Sequence, residues 1–180
     1  MVEEAYLEEG PAGRAPATPG WFVVNVRDTA WRTHPTFGSA CRFESPDLSF
    51  AGVGVNIRVL QPGQPNCHYH AESVEEHFLV LGGECVLLVQ GQERRLRAWD
   101  FVHCPPGTEH VFVGAGDGPC AILMVGARKD DSTVVYPHSE VALSHGAGVE
   151  TETSSPAEAY AAFERPERGR PAGWDKLPWA

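Results

Sequence analysis

Four residues in the middle of the chain have the types and spacing to hold a transition metal. His68 and His70 flank Tyr69 in the run CHYH. In an extended strand, residues two apart point to one face, so both imidazoles can reach a single ion. An isolated H-x-H pair is more often two surface or core histidines than a metal site. Here it has company. Glu76 opens the run EHFLVL and would set an anionic oxygen beside the two nitrogens, while the Pro105-Pro106-Gly107 turn in CPPGTEH would re-aim the chain and deliver His110. Three imidazoles and one carboxylate suit a divalent Fe, Mn, Ni, Co or Zn ion and leave coordination positions for water or substrate.

Those side chains need a rigid frame, and the sequence around them supplies strands. From Trp21 onward, short β-branched and aromatic runs (WFVVNV, SACRFE, LSFAGVGVNIRVL, ECVLLVQ, HVFVG, CAILMVG) are bounded by Pro, Gly, Asp or Ser, the rhythm of an all-β sandwich or barrel. We read residues 1–20, rich in Pro and Gly, as an irregular N-terminal arm, 21–128 as the barrel and 129–180 as a C-terminal extension. Ser155-Pro156-Ala157-Glu158 offers a capping box and predicts a short helix over about 156–164. The final segment carries Trp174 and Trp179, which should pack along their own barrel or a neighbouring subunit.

Strand parity extends the site. Phe78, Val80 and Phe112 share the faces of Glu76 and His110 and should line a pocket around the metal; Arg58 is a candidate to reach inward and bind an anionic group. His77 should point away from the metal. Glu72 and Glu75 read as solvated loop residues, Cys67 as core packing, and His103 and Cys104 as outer partners of the site, although a small buried cysteine usually just packs. Arg94, Arg95 and Arg97 suit the exposed face of a hairpin.

Over residues 51–127 the chain resembles the cupin superfamily, which is recognised by two motifs. GQPNCHYHAESVEEHFLVLGG is similar to the first, G-x5-H-x-H-x3,4-E-x6-G, and WDFVHCPPGTEHVFVG to the second, G-x5-P-x-G-x2-H-x3-N. The resemblance implies a double-stranded β-helix, or jelly-roll barrel, with metal ligands at His68, His70, Glu76 and His110. Five residues separate His70 from Glu76, one more than the pattern has; Trp99 replaces the first glycine of the second motif and Gly114 its final asparagine.

Composition narrows the function. A formal net charge of −10 repels phosphate backbones and anionic lipid headgroups, which argues against nucleic acid and membrane partners. No apolar run approaches the ~20 residues of a membrane span. The acidic start MVEEAYLEEG does not resemble a secretory leader, and five cysteines without paired spacing do not suggest a disulfide framework. The expectation is a cytoplasmic homodimer acting on a small molecule. Its leading reading is a metal-dependent enzyme with oxygenase-like chemistry on an apolar or aromatic substrate. The alternatives are a non-catalytic small-molecule-binding or sensing cupin and a sugar isomerase or epimerase, the phosphosugar version disfavoured because both lysines, Lys129 and Lys176, lie outside the barrel.

Overall fold

A computed structural model describes residues 1–45 and 47–180 and consists mainly of strands. In chain order these are β1 (Leu7–Gly10), β2 (Gly13–Pro16), β3 (Trp31–His34), β4 (Gly38–Arg42), β5 (Val53–Leu60), β6 (Ala71–Glu72) and β7 (Glu76–Gly82). They continue with β8 (Glu84–Val89), β9 (Gln92–Arg97), β10 (Phe101–Cys104), β11 (His110–Ala115), β12 (Cys120–Ala127), β13 (Val134–Val135) and β14 (Glu167–Arg168). Two short helices, α1 (Glu140–Ser144) and α2 (Pro156–Ala159), lie in the C-terminal extension.

The large sheet has seven strands in the order β10-β7-β12-β5-β4-β3-β14, and a smaller one runs β11-β8-β9. Their facing sides bury Leu60, Phe78, Val80, Ile122 and Met124 from the first against Cys85, Leu87 and Phe112 from the second. Period-two alternation produces this core: Glu76, Phe78 and Val80 face in, and His77, Leu79 and Leu81 face out. This is the double-stranded β-helix. Its hairpins turn where the sequence permits left-handed backbone, as at Gln90 (φ 49°) and Gly91 (φ 71°), the two-residue loop between β8 and β9.

The outer face of each sheet is also covered. Trp31, Cys41, Ile57, Val59 and Ala121 on the large sheet pack against Leu177, Trp174 and Trp179 of the tail. Leu88, Val111 and Val113 on the small sheet, with Tyr69 from the segment before β6, pack against Ala142 of α1 and Ala147 beyond it. The aromatic tail therefore closes its own barrel.

Two local expectations are corrected. The N-terminal arm is not irregular: β1 and β2 form a hairpin, tied to the barrel through the bridges Glu4 to Trp21 and Arg14 to Thr29. Backbone pairing there supplies what the arm's composition lacks. The helix expected over 156–164 spans only Pro156–Ala159, because Tyr160 leaves helical geometry and turns its ring toward the barrel. Ser155 does cap it, accepting from the Glu158 N–H at 3.3 Å. α1 has no counterpart in the sequence reading. No helix among the described residues is long and apolar enough to cross a membrane.

Candidate metal centre

His70, Glu76 and His110 each offer a ligand atom within 4.8 Å of the others. β7 starts at Glu76 and β11 at His110, so both side chains stand at a rim where a strand enters the barrel. His70 is brought in by the backbone. It donates its N–H to the His110 carbonyl (3.1 Å) and accepts from the His110 N–H (2.8 Å), a two-bond bridge that sets the rings 4.9 Å apart. Glu76 Oε2 lies 3.4 Å from His110 Nε2. Opposite Glu76 on β12 stands Gly126, where a Cβ would approach Glu76 Oε1 to 3.6 Å, so the missing side chain leaves the carboxylate free of contact on that side.

The tautomers follow from the hydrogen bonds. His70 Nδ1 lies 2.8 Å from the His68 carbonyl and His110 Nδ1 lies 3.0 Å from the Thr108 carbonyl. A carbonyl can only accept, so each Nδ1 carries the hydrogen and each Nε2 presents a lone pair, the arrangement that orients metal-binding histidines. Burial, with His110 nearby, pushes the His70 pKa down to about 4. Burial lowers His110 as well. Burial and then the neighbouring Glu72 carboxylate push Glu76 up to about 8. Two neutral imidazoles facing a reluctant carboxylate form a site that a divalent cation would relieve.

His68, expected as a fourth ligand, lies outside this trio. The residues around it form no regular strand, so the i, i+2 rule that was to align it with His70 does not operate. Its buried ring instead packs between Phe37 (5.0 Å), Tyr160 (4.8 Å) and Phe163 (5.3 Å), with neither ring nitrogen hydrogen-bonded. It lines a cleft of about 410 Å³ between barrel and extension, together with Val149, Thr153, Glu158 and Phe163. Glu72 is the second departure. Expected in solvent, it is half-buried, with Oε1 3.8 Å from His70 Nε2 at the edge of the trio.

Of the expected pocket residues, Phe78 and Phe112 wall the centre, their rings 5.2 and 6.2 Å from that of His110. Val80, fully buried, belongs to the packed core between the sheets. Arg58 sits on β5 opposite Ile122, a fully buried core residue, and so points inward. Cys104 is buried and faces in, whereas His103 faces out. Glu75, His77 and His103 form a separate cluster on the outer face of the large sheet, with His77 directly opposite His103. Arg94, Arg95 and Arg97 are exposed, as expected.

Sequence reasoning missed Tyr136 and Tyr160. The Tyr136 ring lies 5.9 Å from His70, and the Tyr160 hydroxyl accepts from the His68 N–H at 3.1 Å. Tyr160 is ninety-two residues from His68, and no local pattern reports a contact of that range. Asn66 was missed too; its Oδ1 accepts from the Phe112 N–H at 2.8 Å and fastens the segment before His68 to β11.

Comparison with known proteins agrees with this architecture. Residues 56–126 match the family described as "Cupin domain". No curated protein matches the chain. Among solved structures, a sugar phosphate isomerase of the cupin superfamily from Silicibacter pomeroyi is 25% identical with a TM-score of 0.55, over 62% of this chain and 79% of that one. A polyketide cyclase from Streptomyces resistomycificus is 17% identical with a TM-score of 0.53, over 62% and 83%. A protein from Acidithiobacillus ferrooxidans named for sugar phosphate isomerase activity is 27% identical with a TM-score of 0.47; the alignment covers 48% of this chain and spans only 57% of that one.

Proposed function

Because this chain is a member of the cupin superfamily, we propose that it is a metal-dependent enzyme acting on a small molecule, with one divalent transition metal held by His70, Glu76 and His110. The observation that carries this reading is the pair of Nδ1 anchors, which leave both Nε2 lone pairs free in a trio whose ligand atoms lie within 4.8 Å of one another. When bound, such an ion polarises a substrate oxygen or supports oxygen chemistry.

The chain's own residues do the rest. The Thr108 and His68 carbonyls hold the two imidazoles in orientation. Glu76 gives up its proton on becoming a ligand, which makes it the centre's main proton store at neutral pH. Phe78 and Phe112 keep water from the inner side and offer an apolar surface. That surface supports oxygenase-like chemistry on an apolar or aromatic substrate.

A sugar isomerase is the second reading, favoured by the Silicibacter relative. The test is reconstitution with Fe(II) or Mn(II), metal analysis, and two assays run side by side: oxygen uptake with small aromatic substrates and aldose–ketose exchange followed by proton NMR. Oxygen uptake that is absent in His110→Ala supports the first reading, and exchange without oxygen uptake supports the second. Metal binding with no turnover in either assay points to a binding or sensing role.

A further inference from the structure

Arg58 is a half-buried cation facing the barrel interior, and it has no salt-bridge partner among the described residues. It alternates with Asn56 and Leu60 along β5; Leu60 is fully buried in the core between the sheets, which fixes the direction of all three. Its Nε is buried without a hydrogen-bond partner, and so is Asn56 Oδ1 two residues earlier on the same face. Among the described residues, the groups whose charge acts most on the guanidinium are the Cys67 thiol, the Arg42 guanidinium and the Tyr160 hydroxyl. Burial depresses the Arg58 pKa, and Arg42 adds to that as a second positive charge.

An arginine cannot shed this cost by losing its proton, since guanidinium stays charged in proteins. A buried charge without a partner is among the most destabilising features a core can hold. Among the described residues, the arginine side chains that do form hydrogen bonds or salt bridges, Arg14, Arg94, Arg128 and Arg170, do so near solvent.

The position relates to the metal centre. Cys67 feels both Arg58 and Glu76, and its Sγ lies 3.5 Å from His70 Nδ1. Asn56, on the same face as Arg58, pairs with Met124, and Met124 pairs with Phe78, whose ring lies 5.2 Å from that of His110, so Arg58 and the trio face one barrel interior. We propose that Arg58 anchors a carboxylate of the substrate through its planar fork while the reacting end of the molecule faces the trio, an inference that rests on the enzymatic reading above and names its substrate class. A carboxylate is preferred to a phosphoryl group because one inward guanidinium balances a monoanion, Arg42 being exposed on β4. The remaining carboxylate oxygens would accept from the Asn56 amide N–H and the Tyr160 hydroxyl.

The experiment uses full-length protein, metal-free and metal-loaded, as wild type, Arg58→Met and Arg58→Lys. Acetate, malonate and benzoate, with benzyl alcohol and phenyl phosphate as comparators, are titrated by calorimetry and ligand-observed NMR. The expected result is carboxylate binding to metal-free wild type, weakened at least tenfold in Arg58→Met, partly retained in Arg58→Lys and absent for benzyl alcohol, with metal content equal in all three proteins. Arg58→Met should also melt higher than wild type without ligand, because it removes an unbalanced charge; a structural arginine would melt lower when replaced.

Carboxylate binding that is absent or indifferent to the substitutions overturns the proposal, as does binding of phenyl phosphate alone. Arg58-dependent binding in a protein that takes up no metal leaves this anchor standing and removes the metal-dependent reading instead.

Discussion

The His110 Nε2 atom lies 3.4 Å from Glu76 Oε2, and the opposite nitrogen of the same ring is held 3.0 Å from the Thr108 carbonyl. One imidazole thus connects a backbone anchor to a carboxylate that burial keeps protonated up to about pH 8.

Metal binding should release protons in proportion to how much Glu76 still holds. At pH 6.5 to 7 the metal-free centre carries a protonated Glu76 and a neutral His70, whose pKa is pushed down to about 4. Calorimetric titration of metal in buffers of different ionisation enthalpy should give about one proton released per ion there, falling toward none above pH 9, with affinity rising across the same interval.

The metal-free protein should lose stability as pH rises from 6.5 to 8. The folded Glu76 value of about 8 exceeds its ordinary 4.5, so between these values the folded chain holds the extra proton and each step up in pH favours unfolding. For His70 the folded value of about 4 lies below 6.5, so its contribution favours folding as pH rises, but only below about 6.5. Above that point Glu76 acts without opposition from His70. Melting curves of wild type and Glu76→Gln across this range should diverge, the variant lacking the downward slope.

His70→Ala and His110→Ala should each lose the metal, with affinity falling by more than the ~10–100-fold cost of removing an outer partner. His68→Ala should keep it, because its ring is packed among Phe37, Tyr160 and Phe163. Elemental analysis of untagged protein checks this, and loss of metal in His68→Ala would contradict the arrangement described above.

Trp99→Gly should raise the melting temperature. Trp99 is the third residue of the turn closed by the Asp100 N–H on the Arg97 carbonyl, and its φ of 75° is a left-handed conformation costly for a side chain. Relief of about 1–2 kcal/mol of strain exceeds the ~0.5–1 kcal/mol of added chain entropy. For a domain of this size the net gain corresponds to a rise of about 2–4 °C.

Trp31→Ala should cost about 3–5 kcal/mol in urea unfolding. The ring is fully buried, 5.6 Å from Trp179 and 5.7 Å from Trp174. Removing residues 171–180 uncovers the same ring and should cost a similar amount.

The sequence by itself determined the strands and the barrel, and it named the three residues, His70, Glu76 and His110, that the fold brings together. Alternation along EHFLVL and HVFVG places Glu76, Phe78, His110 and Phe112 inward, and this needs only the two-residue period of a strand. Glycine at 83 and a left-handed Trp99 mark turns that the motif spacing already located. What only the tertiary structure decided lies where no period runs. His68 follows no strand rule, so contacts with Phe37 and Tyr160, thirty-one residues before it and ninety-two after it, set its ring. Arg58 lies beyond the Pro62-Gly63 turn from the histidines, so its inward direction emerges only from pairing with β12. Glu72 meets His70 from β6, a two-residue strand that exists only through its pairing with the distant β13. Local pattern reports which way a strand residue faces; long-range packing settles which residues meet, because those contacts depend on chain segments whose relative placement no local period encodes.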